Sequence, residues 1–198
     1  MTVSDTHAIV PMASPSDCLK GRLLVATPAL DQGFFAGSIT YICEHGESGA
    51  MGVAINKPLD VELEEILEHL DIEKRPSAKP APVLAGGPVK MDHGFVLHSR
   101  QGPWESSQHV ADDIWLTTSR DILVAIGEGH CHAQHLITLG YAGWAAGQLE
   151  AELSENCWLT VAANHTILFE TPLEDRLRAA GDLMGFDISL MSGAAGHA

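Results

Sequence analysis

Residues 38–70 read SITYICEHGESGAMGVAINKPLDVELEEILEHL, and a change of period inside them decides the fold. Residues 38–45 alternate well enough for a β-strand, residues 46–52 form a glycine-rich turn, and residues 53–55 carry the sheet onward. From 61 to 70 the period lengthens. Val61, Leu63, Ile66, Leu67 and Leu70 fall on one stripe with four glutamates opposite or flanking, the pattern of an amphipathic helix. A strand pair followed directly by a helix argues against regular βαβ alternation.

The chain on either side extends this pattern. Residues 22–27 (RLLVAT) form a strand closed by Pro28, residues 83–84 lead into a turn at Gly86-Gly87-Pro88, and residues 95–98, 114–117, 135–144 and 157–161 read as further strands. Ser119 is placed to cap a helix through Ile126, with Asp121 in its first turn. Residues 148–153 and 173–184 read as two more helices. Residues 71–82 hold charges and three prolines and read as a surface loop, and residues 99–108 as another. Strands that follow one another as neighbours predict an α+β fold, with a mixed or antiparallel sheet, curled, and three or four helices around it.

The chain of 198 residues suits one domain over 19–198 behind a flexible lead-in over 1–18. Its formal net charge is −15, and its 11 lysines and arginines are scattered rather than striped. Neutralising nucleic-acid phosphates requires a local excess of positive charge, so direct nucleic-acid binding is not expected. There is no apolar run of transmembrane length and no export signal, so the expectation is a cytoplasmic protein that does not enter a membrane. Cys18, Cys43, Cys131 and Cys157 include no C-x-x-C pair and read as reduced thiols.

No complete catalytic set is present. Gly46-Glu47-Ser48-Gly49 is one residue short of a nucleophile elbow, and Gly127-Glu128-Gly129 lacks the third glycine of a dinucleotide loop. His130, Cys131, His132 and His135 are zinc-ligand types, but no single backbone conformation gathers them all, so neither a metal nor a cofactor is expected. On an alternating strand Cys43 shares a face with Tyr41 and His45; it reads either as a core residue or as a redox thiol activated by the imidazole.

The remaining features are glycine-bearing turns with polar or aromatic neighbours. Asn56 and Lys57 leave a strand, Gly86 and Gly87 make a tight bend, and Trp144 ends a glycine turn with Gln148 just beyond it. Such turns let backbones approach closely. Together with His98 they could also line one groove for a ligand or partner.

Four segments in order resemble the AlgH/YqgE family of bacterial proteins: GRLLVATPAL (21–30), SITYICEHGESGAMGVAINKPL (38–59), VLAGGPV with GFVLH (83–98), and LGYAGWAAGQLEAEL (139–153). The closing Gly196-His197-Ala198 is also similar to the family's ending. One departure is Asp92-His93-Gly94, where the family commonly has Asp-Arg-Gly. The resemblance implies a branched sheet including a small closed β-barrel surrounded by helices. It implies no established enzymatic activity, and some members are described as regulators of transcription, notably of alginate production. The favoured expectation is a non-enzymatic regulator acting through protein contacts. The rival is a small-molecule sensor or enzyme using the groove of Asn56, Lys57, Gly86, Gly87, His98, Trp144 and Gln148.

Overall fold

The computed structural model describes residues 18–75, 81–100 and 102–185. The lead-in over 1–17, the middle of the proline-rich loop and the closing Gly196-His197-Ala198 lie outside the described residues. In chain order the elements are β1 (Arg22–Ala26), β2 (Ile39–Gly46), β3 (Gly49–Ala54), β4 (Pro58–Glu62), α1 (Leu63–His69), β5 (Pro82–Ala85), β6 (Val89–Ser99), β7 (Ser107–Ala111), β8 (Ile114–Thr117), α2 (Arg120–Gly127), β9 (His135–Ala145), α3 (Gln148–Ser154), β10 (Trp158–Ala162), a π-helical turn (Thr166–Glu170) and α4 (Arg176–Met184).

Eight strands run in the order β10-β1-β2-β3-β9-β6-β8-β7, each pair antiparallel. The sheet branches at β9. The first half of β9 pairs with β6 and, in parallel, with β5, which in turn pairs with β4; its second half pairs with β3. Gly140, at φ +74°, separates the two halves.

The sheet curls but does not close, which corrects the closed barrel that the family resemblance implied. Both edges of β1 are already paired, to β2 and β10, so β7 has no ladder there to join. β7 instead packs side-on against the residues leading into β1. A Cβ on Gly21 would lie 2.5 Å from the Ala111 methyl group. The result is an open half-barrel.

Three apolar clusters hold these layers. Leu23, Val25, Tyr41, Cys43 and Leu97 fill the inside of the curl, sealed by Ile167 and Leu168 of the π-turn and Ala180 of α4. Leu24, Ile42, Trp144 and Trp158 meet Leu149 of α3 on another face. β1 and β2 are therefore covered on both sides, which is why 22–26 reads as a nearly continuous apolar run. Leu63 and Leu67 of α1 and Ile122 and Ile126 of α2 pack on Val83, Val96 and Ile137.

α1 begins two residues later than the period suggested, because Pro58–Glu62 pairs as β4. Glu62 and Glu65 then cap the helix reciprocally, with the Glu62 amide donating to Glu65 Oε1 at 3.0 Å. Ser119 stands at the N-cap of α2, but its hydroxyl donates to Asp121; it is Asp121 Oδ1 that accepts the Ile122 amide at 2.9 Å. No helix among the described residues is long and apolar enough to cross a membrane.

Candidate functional site

The seven residues proposed to line one groove do not all meet, although the Asn56–Lys57 turn lies beside the Gly86–Gly87 bend, where the Ala85 amide donates to the Lys57 carbonyl at 2.7 Å. Asn56 pins the approach to β2, accepting the Ile39 amide at 2.8 Å and donating to the Gly37 carbonyl at 2.9 Å. Lys57 donates to the neighbouring Ala36 carbonyl, and burial pulls its ammonium below the ordinary lysine range. Gly86 and Gly87 are buried at the branch of the sheet. The Gly86 amide donates to Leu139 and its carbonyl accepts from Ala54, tying the ends of β5 and β3 to β9. Trp144 and Gln148 do meet, through Glu152. Glu152 Oε2 accepts from the indoles of Trp144 (2.9 Å) and Trp158 (2.7 Å), and its Oε1 from Gln148 (2.9 Å).

His98 is fully buried in a polar chain. Its Nδ1 donates to the Arg100 carbonyl at 3.0 Å, so its Nε2 is the acceptor and takes the Thr117 hydroxyl at 2.7 Å. Thr117 Oγ1 in turn accepts from the Ser107 hydroxyl at 2.7 Å. Burial, with the nearby His135 adding to it, outweighs the hydrogen bonds that favour the cation, and the imidazole is held below the ordinary histidine value of 6.5. A depressed folded value means the unfolded chain binds the proton first. Stability is then expected to be complete above pH 6.5 and to fall as the pH drops below it, with a slope approaching about 1.4 kcal/mol per pH unit. Urea unfolding of the wild type and His98→Asn across pH 5–8 checks this; equal slopes in both would refute it.

Cys43 is wholly buried, and burial, reinforced by Glu44, pushes its thiol far above the usual range. A register shift between Ile42 and Glu44 breaks the alternation that placed His45 beside it. The His45 ring instead accepts the Leu19 amide at 3.1 Å and bonds Glu150 at 2.9 Å. This environment favours thiol over thiolate.

In the histidine run, His130 pairs with Glu128 at 3.2 Å, His132 is exposed, and His135 Nδ1 lies 3.0 Å from the Ala133 carbonyl. Among the described residues no three His, Cys, Asp or Glu side chains are placed to hold a metal.

Two clefts share residues of β6. One, about 650 Å³, opens at the mouth of the half-barrel, between Met51, Phe95, Tyr141 and Trp144, with Lys90 and His93 at its rim. The Phe95 and Tyr141 rings meet edge to face at 5.6 Å. The other, about 620 Å³, lies between α1, α2 and β6 and is lined by Ile66, Leu70, Leu123 and again His93. The wall between them is the arm 89–94, where β6 slips register against β9. Lys90 has φ +47°, unusual for a non-glycine residue, and Met91 is 59% exposed. Asp92 and His93 pair at 2.8 Å, a bond that holds the exposed Asp92 carboxyl below the usual range. The arm was legible only through the departure at His93; its exposed methionine carried no signal of its own.

An open, branched half-barrel with a projecting arm defines a class of fold, and the chain belongs to the AlgH-like family. The model of that family (DUF179: AlgH-like) matches residues 23–189. A UPF0301 protein of Thioalkalivibrio sulfidiphilus is 51% identical over 177 residues, covering 89% of this chain and 95% of the relative. One from Nitrosospira multiformis is 49% identical over 181 residues, covering 91% and 97%. The solution structure of the AlgH protein from Pseudomonas aeruginosa is similar at a TM-score of 0.77 and 43% identity, over 96% of this chain and all of that one. Protein DIP2367 from Corynebacterium diphtheriae shares the fold, with a TM-score of 0.68 at 18% identity over 91% of this chain and 94% of that one.

Proposed function

We propose that the protein is a non-enzymatic cytosolic regulator of transcription that works by binding another protein, through the β6 arm and the clefts beside it. The observation that carries this reading is the exposure of Met91 and Val89 on a backbone that turns left-handed at Lys90. Holding a non-glycine residue there costs on the order of 1 kcal/mol, a strain that recurs at ligand clamps and switch regions. A whole-chain net charge of −15 together with an apolar tip suits a basic partner with an apolar centre. Direct action on DNA is disfavoured by how the cations are used. Lys74 pairs with Glu64, Arg178 with Asp175, Arg120 caps the Leu70 carbonyl and Arg176 is buried.

The test is a cross-linked pull-down from the protein's own cells at native level, comparing wild type with Met91→Glu. A stoichiometric partner is expected with the wild type and its loss with the variant, while the variant's unfolding midpoint stays unchanged. Recovery of the wild-type protein alone, or of the same partner with both, would remove the proposal.

A further inference from the structure

Ala81 and Pro82, with residues of 126–136 and 169–176, line a cleft of about 560 Å³ around Arg176, an arginine with no counter-ion among the described residues. The π-turn closes with the Thr171 amide donating to the Thr166 carbonyl at 2.8 Å. Its extra residue carries the Thr171 carbonyl to Arg176, whose Nε donates to it at 3.0 Å. Arg176 Nη1 donates to the Ile55 carbonyl at the end of β3. These contacts bury the residue to 3% exposure yet use two of the five N–H donors a guanidinium carries. Nη2 has no partner among the described residues, and none of their carboxylates forms an ion pair with Arg176.

Buried arginines ordinarily face a carboxylate, and a lone buried charge is costly. Scarcity does not explain its absence, since the chain has 26 acidic residues. Burial alone draws the guanidinium down to about 10. Glu170 lines the same cleft, but its carboxylate is engaged elsewhere, accepting the Thr166 hydroxyl at 3.1 Å and lying 3.4 Å from His165 Nδ1. The walls are apolar (Ile126, Leu136, Phe169 and Leu173), and exposed His132 and Gln134 stand at the rim.

We infer that this cleft is a binding site for a metabolite-sized organic oxyanion, its carboxylate or phosphate head on the open donors of Arg176 and its apolar body against Leu136 and Phe169. A volume of this size suits such a ligand, and the planar guanidinium matches either head group through paired hydrogen bonds. The site stands apart from the protein contact proposed above and survives that proposal's failure.

The experiment is an amide ¹H–¹⁵N titration of the full chain with phenylacetate, phenyl phosphate, inorganic phosphate and benzyl alcohol. Saturable shifts are expected at 131–136 and 169–176 with one or both organic anions, at least about tenfold tighter than with inorganic phosphate or benzyl alcohol. The stronger of the two organic anions identifies the head group. Arg176→Lys keeps the charge but loses the fork and is expected to weaken binding about tenfold. Gln134→Trp alters only an exposed rim residue and is expected to block the cleft even if the arginine variant misfolds. No saturable shift at these amides by about 10 mM, or unchanged binding in Gln134→Trp, would overturn the assignment. Equal binding of benzyl alcohol would show an apolar pocket without anion recognition, and equal binding of inorganic phosphate an adventitious ion only; either would also overturn it.

Discussion

Gly87→Ala is expected to abolish the native fold. A Cβ at this position would sit 1.9 Å from the Tyr141 carbonyl carbon, 2.1 Å from its oxygen and 2.2 Å from the Ala142 nitrogen. All three are backbone atoms of β9, so no rotamer change relieves the clash. The neighbouring turn is equally tight, since a Cβ on Gly86 would meet the Gly140 carbonyl oxygen at 2.3 Å. Moving β9 away would break the bonds by which Gly86 ties β5, β3 and β9 together. The expected cost exceeds about 4 kcal/mol, a large part of the stability of a domain this size. Gly94→Ala is the control: its Cβ would enter open space, and a change within about 0.5 kcal/mol is expected. Urea unfolding with an amide spectrum of each variant decides. A folded Gly87→Ala protein losing less than about 1 kcal/mol would mean that the branch of the sheet is not packed as described.

The second large effect is expected at Glu152. One carboxylate oxygen accepts two indole N–H groups, and Trp158 and Trp144 are only 1% and 6% exposed. Their rings also pack on Phe35, Trp158 edge to face at 5.4 Å and Trp144 stacked at 6.2 Å between centroids, so neither indole can turn to water without opening that cluster. Glu152→Ala strands both donors and should cost about 2–6 kcal/mol, since each unsatisfied buried donor costs about 1–3. Glu152→Gln retains an acceptor oxygen but lacks the charge and should cost about 1 kcal/mol. Chemical denaturation, followed by tryptophan fluorescence, ranks the two. Equal losses would show that the carboxylate contributes packing alone.

Both sites were only partly legible in the chain. The glycine pair at 86 and 87 announced a close approach of backbones, yet its partner is Tyr141, on a strand far along the sequence. Trp144 and Gln148 could be placed near each other because they flank one short turn. Glu152, which joins them to Trp158, carries no mark of that role in the sequence. β7 was missed because SQHVA is polar and mostly exposed, so it lacks the apolar alternation that marks a strand. β4 was taken into α1 because Val61 fits either period; pairing with β5 decides between them.

Local pattern was enough for what local physics controls. Two-sided apolar runs specified the central strands, the 3.6-residue stripe specified the helix after them, and four glycine-bearing motifs in order identified the family. The tertiary structure alone decided where the curl stops, because β1 spends both edges on β2 and β10 and leaves β7 to pack without a ladder. It alone set His45 apart from Cys43, through one register shift within β2. It also turned Arg176, an unremarked position in an amphipathic helix, into a buried cation whose partners include a carbonyl 121 residues away. Periodicity reports which face a side chain takes; the atoms waiting on that face are chosen by strand pairing across the whole chain.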